Sequence, residues 1–322
     1  MKWTYIIERI TAMNDRLIFF EPVPRITIWG GEALNQYFGY HLPGMTGQCW
    51  VFADQTSAGG AACKALGDWT GEDLHSIFTG HPELFNSKYN EFPFILTLVG
   101  PIDDLSLQVH PDEQYAAAHG LPGAKHEAWV PISCKSDYKI VYNMNARSPE
   151  ELQQYIDEKR WYELICHENI RPGQGVYIPA GILHAMGKGC IMYEIQERVD
   201  VTYRFWDYDR VDAQGGSRPL ALEEAKSCLH YEKYNGVVDP DIKIVDNAEI
   251  ATFISNTHFT VQRIRVNGKA RLHFDGYACC TVSDGGGVID GTPVKLGENF
   301  LATAKYHDFD ADGNFELMLT ME

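Results

Sequence analysis

The chain has 322 residues, of which 45% are apolar, 12% aromatic and 22% charged. This length and composition exclude a disordered or low-complexity protein and suffice for one large domain or two smaller ones. The chain carries 27 Lys and Arg against 44 Asp and Glu, a formal net charge of −17. Because so acidic a chain repels phosphate backbones, we expect no nucleic-acid partner, although a local cluster of cations would still bind a small phosphorylated ligand.

The amino-terminal segment MKWTYIIERITAMNDRL has a charged residue every few positions and no apolar signal-peptide core. No stretch of the sequence approaches the ~18 consecutive apolar residues of a membrane-spanning helix. The eight cysteines are scattered and form no C-x-x-C pair, as in proteins of a reducing compartment. We therefore expect a cytoplasmic protein with no membrane partner.

Most periodic segments alternate apolar and polar residues, which predicts strands. In chain order we predict a helix in GEDLHSIF, strands in PFILTLVG and DLSLQVH, helices in HPDEQYAAAHG and SPEELQQYIDEKRWYELI, strands in GVYIPAG, CIMYEIQ and DVTYRFWD, a helix in ALEEAKSCLH, and strands in FTVQRIRV, KARLHF and NFELMLT. The helix at 148–165 opens with an S-x-x-E capping box. We expect a mainly β protein: a domain over 1–236 with inserted helices, and a small β domain over 237–322.

Polar side chains that could bind a metal stand in two places along the chain. Gln108 and His110 are two residues apart in LSLQVHPD, so their side chains leave the same face of the predicted strand. Glu127 follows in KHEAW. Its neighbour His126 is interpreted as having no part in this site.

A further histidine, His184, ends the pattern G-x5-P-x-G-x2-H, which begins at Gly173. The pattern resembles the second motif of cupins, in which glycine and proline form a tight turn that directs the histidine into the mouth of a barrel. Taken singly, each of these polar residues is more often a surface or core residue than a ligand. Together, two imidazoles, a carboxylate and an amide oxygen suit zinc and do not exclude other first-row divalent metals.

The segment CIMYEIQERVDVTYRFWDYDR contains a second group of inward-facing polar residues. Glu194 and Gln196 share one face of a predicted strand, and Thr202 and Arg204 share one face of the next. A buried glutamate and arginine on adjacent strands would be costly unless they act in function or pair with each other. Both interpretations stay open, the functional one and the structural Glu194–Arg204 ion pair.

Taken together, these motifs resemble those of type I phosphomannose isomerases, which are zinc-dependent cupins, in their short bacterial form. The resemblance covers RITIWGG near residue 25, LSLQVHPDEQYA, KHEAW, PAGILHA and EIQERVDVTYRFWDYDR, and it is weaker in the carboxyl-terminal β segment. It implies a two-domain cupin fold of the β-barrel or jelly-roll type. It also implies conversion of mannose 6-phosphate to fructose 6-phosphate through a cis-enediol, with one Zn²⁺ per chain or another divalent metal.

The resemblance also implies a role for each matching residue. The metal ligands are Gln108, His110, Glu127 and His184, and the residues that contact the sugar phosphate are Ser106 and Lys125. Lys125 binds phosphate or orients Glu127, and Arg204 is the catalytic arginine. The proton is moved by Glu194 or by a metal-bound water.

Three departures from the family pattern leave other functions open. Thr97 stands where relatives have a lysine, Gln48 where they have a glutamate, and Arg198 and Val199 where they have small polar residues. Loss of one charged contact weakens binding or rate by ~1.5–3 kcal/mol. One alternative is therefore a metal cupin isomerase of a different sugar, phosphorylated or unphosphorylated, and another is a sugar-binding or regulatory cupin without turnover. The sequence predicts no oligomeric state.

Overall fold

A computed structural model describes residues 14–55, 60–211 and 215–322, and most of these residues lie in β-strands. The strands form three sheets, none of which closes on itself within the described residues. Residues 1–13, on which the expectation about a signal peptide rests, lie outside the described residues. All eight cysteines are unpaired. In the part of the chain that is described, no helix has both the length and the apolar character needed to cross a membrane.

The described residues form six short helices, all before residue 230, where the sequence placed its four predicted helices: α1 (Ala33–Phe38), α2 (Leu74–Gly80), α3 (Glu113–His119), α4 (Pro149–Asp157), α5 (Trp161–Leu164) and α6 (Leu222–Cys228), with 3-10 turns at Gly67–Trp69 and Pro82–Leu84. The Ser148 side chain caps α4 by accepting from Glu151 N. The prediction of a single helix over 148–165 is wrong. The backbone of Lys159 is left-handed, with φ of 54°, and this residue separates α4 from α5. Helix α1 was not predicted.

The first two sheets belong to the larger part of the chain. The order of strands in the seven-stranded sheet is β13 (Val237–Val238), β9 (Gly175–Ile178), β6 (Glu127–Ser133), β11 (Ile191–Glu197), β4 (Phe94–Val99), β3 (Thr46–Phe52) and β2 (Val23–Ile26). The order in the five-stranded sheet is β12 (Tyr203–Trp206), β5 (Leu107–Val109), β10 (His184–Ala185), β7 (Lys139–Met144) and β8 (Ile165–Asn169). One buried apolar cluster contains Trp129 and Met192 from the first sheet and Ile140 and Tyr142 from the second, so the two sheets pack face to face.

The third sheet contains most of the carboxyl-terminal strands. Its order is β1 (Leu17–Phe20), β19 (Asn299–Ala302), β17 (Ala278–Ile289), β20 (Asp308–Met321), β16 (Thr260–His273), β15 (Ala248–Ser255) and β14 (Asp241–Val245), and β18 (Thr292–Lys295) pairs with β17. FTVQRIRV and KARLHF, predicted as two strands, are one continuous strand, β16. The division into 1–236 and 237–322 stays a prediction. Two strand pairings cross this boundary: β13 pairs with β9, and β19 pairs with β1.

Candidate metal and substrate site

The candidate site lies between the inner faces of the seven-stranded and five-stranded sheets. In the five-stranded sheet His184 is paired with Gln108, and Arg204 is paired with Gln108 from the other side. Cross-strand partners project from the same face of a sheet. One row of three neighbouring strands therefore presents an arginine, an amide and an imidazole toward the facing sheet.

Three of the four predicted metal ligands meet in the interior. His110 Nε2 lies 3.1 Å from Glu127 Oε1, and His184 Nε2 lies 3.7 Å from Glu127 Oε2. All three residues are at most 1% exposed, and one ligand atom from each lies within 4.8 Å of the other two. The fourth, Gln108, has its amide 3.4 Å from His184 Nε2. Rotation of that amide by 180° would place its oxygen, instead of its nitrogen, next to His184 Nε2.

The hydrogen bonds around these residues fit a divalent cation. His110 Nδ1 lies 2.9 Å from the Val201 carbonyl and His184 Nδ1 lies 2.8 Å from the Ile182 carbonyl. Each Nδ1–H therefore donates outward, which leaves the lone pair of Nε2 directed at the centre of the site. Among the described residues, the buried atoms His110 Nε2 and Glu127 Oε2 have no hydrogen-bond partner. Because orphaned buried polar atoms are costly, a cation would satisfy both.

The electrostatics of the site favour the same protonation states. Burial lowers the pKa of His110 and lowers that of His184 to about 3. Burial opposes ionisation of Glu127, but the charge of Lys125 holds its pKa well below the usual value. Both imidazoles are therefore neutral and Glu127 is a carboxylate near neutral pH, the states in which these side chains bind metal.

Of the two residues that the resemblance assigned to substrate, Lys125 contacts this group. Lys125 is 3% exposed, and its Nζ lies 3.0 Å from Glu127 Oε1 and 3.5 Å from Thr202 Oγ1. Ser106 is buried two residues before Gln108, directly before β5. Of the two roles predicted for Lys125, its contact with Glu127 favours the orientation of that carboxylate.

Glu194 lies on the same inner face of the seven-stranded sheet as Glu127, where it is paired in register with Thr97 and Trp129. The Thr97 hydroxyl donates to Glu194 Oε2 at 2.6 Å, and the Trp129 indole N–H donates to Glu194 Oε1 at 2.8 Å. Burial, followed by the nearby charge of Glu127, raises the pKa of Glu194 to about 7. This carboxyl group therefore exchanges a proton readily near neutral pH.

The sequence expectation that Glu194 and Arg204 lie on adjacent strands is wrong. Strands β11 and β12 belong to different sheets, because the chain crosses from one sheet to the other through residues 198–202. The carboxylate of Glu194 is bonded to Thr97 and Trp129, and Arg204 Nη1 donates to the Pro219 carbonyl at 2.7 Å. The structural ion pair between Glu194 and Arg204 is therefore not formed.

Sequence reasoning missed Trp129, a fully buried residue that touches both halves of the site. Besides its bond to Glu194, its ring lies 5.5 Å from the ring of His184, centroid to centroid, in an edge-to-face arrangement. Its position two residues after Glu127 on a strand was the available signal, since that spacing places both side chains on one face.

Arg204 lies in a local cluster of cations within this acidic chain. Arg210 Nη2 and Arg218 Nε donate to the Asp207 carboxylate at 2.6 and 2.8 Å. Burial, with Arg218 as the next cause, lowers the pKa of Arg204. Arg204 Nε is buried and has no hydrogen-bond partner in the described residues. Arg204 and the two arginines bonded to Asp207 outnumber that carboxylate, which makes this region attractive to an anion.

Comparisons with known proteins agree with this geometry. The catalytic-domain model of type I phosphomannose isomerase matches residues 18–139. The chain is 35% identical over 312 residues to the "Probable mannose-6-phosphate isomerase GmuF" of Bacillus subtilis (strain 168), covering 94% of this chain and 98% of that one. It is 33% identical over 317 residues to the "Mannose-6-phosphate isomerase ManA" of the same organism, covering 96% and 99%. This chain belongs to the type I phosphomannose isomerase family.

The fold agrees with that membership. The crystal structure of the mannose 6-phosphate isomerase from Bacillus subtilis superposes with a TM-score of 0.90 at 32% identity, over 95% of this chain and all of that one. The predicted fold class, a mainly β cupin with inserted helices, is confirmed.

The departures from the family pattern can be located in the structure. Thr97, in place of the family lysine, binds Glu194 as described above. Arg198 donates to Glu91 and has its Nη2 3.7 Å from Asp54 Oδ1, so its contacts are not with Glu194 or Lys125. Gln48 lies on β3 opposite Val99. In the described residues, neither Arg198 nor Gln48 forms a hydrogen bond or an ion pair with the His–Glu–His group.

The glycine of the P-x-G turn has a testable structural requirement. Gly181 has φ of 86°, and a Cβ there would lie 2.6 Å from the ring of His230. We expect Gly181→Ala to lower the free energy of unfolding by about 2–4 kcal/mol, from backbone strain and the steric clash together. Urea denaturation measures this. Gly189→Ala is the matched control, because Gly189 has φ of 83° with open space around it, and should cost only about 1–2 kcal/mol. Equal losses would contradict the clash.

Proposed function

We propose that this chain is a metal-dependent isomerase that interconverts mannose 6-phosphate and fructose 6-phosphate. The observation that carries the proposal is the buried group of His110, Glu127 and His184, with an acid of raised pKa, Glu194, on the same sheet face as Glu127. Its support is the chain's identity of about one third, over nearly the full length, to relatives named mannose-6-phosphate isomerases.

The reaction moves a proton between C2 and C1 of the sugar through a cis-enediol. Its difficulty is the low acidity of a C–H bond next to a carbonyl. Gln108, His110, Glu127 and His184 would hold a divalent cation, with zinc as the first choice. When bound, that cation supplies Lewis acidity to the carbonyl and hydroxyl oxygens of the sugar, which makes the C–H bond more acidic.

In this proposal Glu194 moves the proton. Its carboxylate takes a proton from C2 of the aldose and returns it to C1 of the enediol on the same face. A pKa of about 7 keeps both protonation states accessible at neutral pH. The bonds from Thr97 and Trp129 hold the carboxylate in one orientation while it does so.

Three further residues bind and orient in this proposal. Lys125 holds Glu127 in its ligating position through the 3.0 Å ion pair, and Ser106 contacts the sugar phosphate. Arg204 steers the phosphate or stabilises the developing oxyanion, and the neighbouring Arg210 and Arg218 add to the positive field there.

Replacing Arg204 by Ala should preserve metal content and lower kcat/KM by about 10²–10³-fold, the loss expected when one charge-stabilising donor is removed. Arg204→Lys should recover part of the loss, since a lysine keeps the charge but not the guanidinium geometry. Steady-state kinetics and elemental analysis of the same samples measure both effects. Loss of metal from Arg204→Ala would instead assign Arg204 a structural role.

The decisive test is the rate of fructose 6-phosphate formation from mannose 6-phosphate by zinc-loaded protein. We expect a turnover of about 1 per second or more, which is typical of working enzymes. A negligible rate from folded protein with one equivalent of zinc would overturn the substrate assignment.

Thr97 supports a second candidate, a metal cupin isomerase of a different sugar. The family lysine would place a cation beside Glu194, whereas Thr97 offers only a neutral hydroxyl there. Thermal shifts with mannose and with mannose 6-phosphate discriminate the two, because the ligand that binds the folded state raises its melting temperature. A shift with the free sugar alone favours this second candidate.

A further inference from the structure

A second group of possible metal ligands lies outside the space between the two packed sheets. It consists of Glu113, His126 and His258, and one ligand atom from each lies within 4.8 Å of the other two. We call it the Glu113–His126–His258 cluster. The three residues come from the first turn of α3, the residue before β6, and the turn between β15 and β16. The cluster thus joins the larger part of the chain to the carboxyl-terminal sheet.

The residue His126 was interpreted from the sequence as a bystander, and strand alternation explains its position. His126 directly precedes Glu127, so the two side chains leave opposite faces of β6. Glu127 enters the interior, whereas the ring of His126 stacks on the ring of His258, with centroids 4.2 Å apart and an interplanar angle of 24°. Its Nε2 lies 3.2 Å from Glu113 Oε1.

A carboxylate outside the cluster holds both histidines. Glu197 Oε1 lies 3.1 Å from His258 Nδ1, and Glu197 Oε2 accepts the backbone N–H of His126 at 2.9 Å. A carboxylate that accepts one ring N–H and leaves the other nitrogen free is the usual partner of a metal-bound histidine. His258 Nε2 is therefore available for a ligand.

The contacts of His126 Nδ1 are compatible with metal binding through Nε2 of the same ring. Its Nδ1 lies 2.8 Å from Tyr177 Oη and 3.4 Å from the Ala180 backbone N. A tyrosine hydroxyl either donates or accepts. In the metal-bound form Nδ1–H donates to Tyr177, and the long bond from Ala180 is given up, which leaves Nε2 as the ligand atom.

We propose that the Glu113–His126–His258 cluster is a second divalent-metal site, separate from the catalytic one. Two imidazole nitrogens and one carboxylate oxygen match zinc and also Co²⁺ or Ni²⁺, with water completing the coordination. Because an imidazole binds a metal in the plane of its ring, the stacked His258 ring has to turn so that both Nε2 atoms face the same ion. Glu113 is the most exposed member, with 69% of its side chain accessible. Binding here is therefore weaker than at the buried site. The metal ties α3 to the β15–β16 turn and stabilises the contact between the two parts of the chain.

The test is metal stoichiometry of the full chain, titrated with Zn²⁺ alone after removal of metal by chelation. We expect two equivalents in the unmodified protein, one in His258→Ala, one in His184→Ala, and none in the double variant. His307→Ala is the control and should keep two equivalents, because the only hydrogen bond of the His307 ring in the described residues is to the Phe274 carbonyl. Isomerase activity of His258→Ala should be unchanged when it carries one equivalent.

A second variant and a second measurement guard against a misfolded His258→Ala. Glu113→Ala changes an exposed side chain, so it should fold normally and bind one equivalent. In the His184→Ala background, Zn²⁺ should raise the melting temperature, and addition of His258→Ala or Glu113→Ala should abolish that rise. One equivalent in the unmodified protein, or a second equivalent that survives both His258→Ala and Glu113→Ala, would overturn the proposal.

Discussion

Replacing His184 by Ala should remove the catalytic metal and the isomerase activity together. His184 supplies a neutral imidazole whose Nδ1–H is held by the Ile182 carbonyl. The only other residue of β10 is Ala185, which offers no ligand atom in its place. With one ligand missing, the remaining donors hold the cation weakly. We expect kcat/KM to fall by at least about 10³-fold, because the Lewis acid that stabilises the developing charge is lost.

Zinc content by elemental analysis and turnover on mannose 6-phosphate are measured on the same preparation. His167→Ala is the matched control, since His167 is an exposed histidine on β8 of the same five-stranded sheet. That variant should keep both metal and turnover. If His184→Ala kept full activity and full metal at the buried site, the ligand assignment would be wrong.

Replacing Glu194 by Gln should separate metal binding from turnover. The amide is nearly isosteric with the carboxyl group: its oxygen accepts from Trp129, and its N–H donates to a Thr97 hydroxyl that has rotated. The fold and the metal site are therefore retained. Because the amide cannot accept a proton from C2, we expect kcat to fall by about 10²–10⁴-fold, the usual contribution of a general base.

The pH profile distinguishes a proton-transferring Glu194 from one that only packs. The pKa of Glu194 is raised to about 7, and a cation bound near Glu127 would lower it. The midpoint of the acidic limb of kcat/KM should therefore lie at or below pH 7. Activity declines as the pH drops through that value because the carboxylate becomes protonated. The Gln variant should lack this limb.

Glu197→Gln is the control for the loss of a carboxylate from the same strand. Glu197 lies at the end of β11 and bonds the backbone of His126 and the ring of His258, so its substitution should leave turnover unchanged. If Glu194→Gln kept a normal kcat and an unchanged acidic limb, a group other than Glu194 would be the one that moves the proton.

The sequence predicted the direction of the candidate ligand side chains wherever that direction depends on local geometry. Gln108 and His110 share a face because the period of a strand is two, and this holds before any partner strand is known. The turn that ends at His184 was readable for a similar reason, since Gly181 adopts a positive φ that its own residue type permits. The Ser148 cap of α4 is likewise a contact between near neighbours.

Errors arose where the prediction concerned which strands become neighbours. Glu194 and Arg204 are ten residues apart, yet they lie in different sheets and do not pair. Alternation specifies the face of a side chain but carries no information about the strand beside it. FTVQRIRV and KARLHF formed a single strand for the same reason, because β20 pairs with β16 over its whole length.

The sequence alone predicted the fold class, which is confirmed, and proposed the ligand types and the spacing that directs each of them, because these depend on residues near one another in the chain. Only the tertiary structure decided the partners. Thr97 and Trp129 meet Glu194 across three strands, and His126 meets His258 across the two parts of the chain. These contacts depend on packing of apolar faces formed by distant segments, and that packing has no local signature in the sequence.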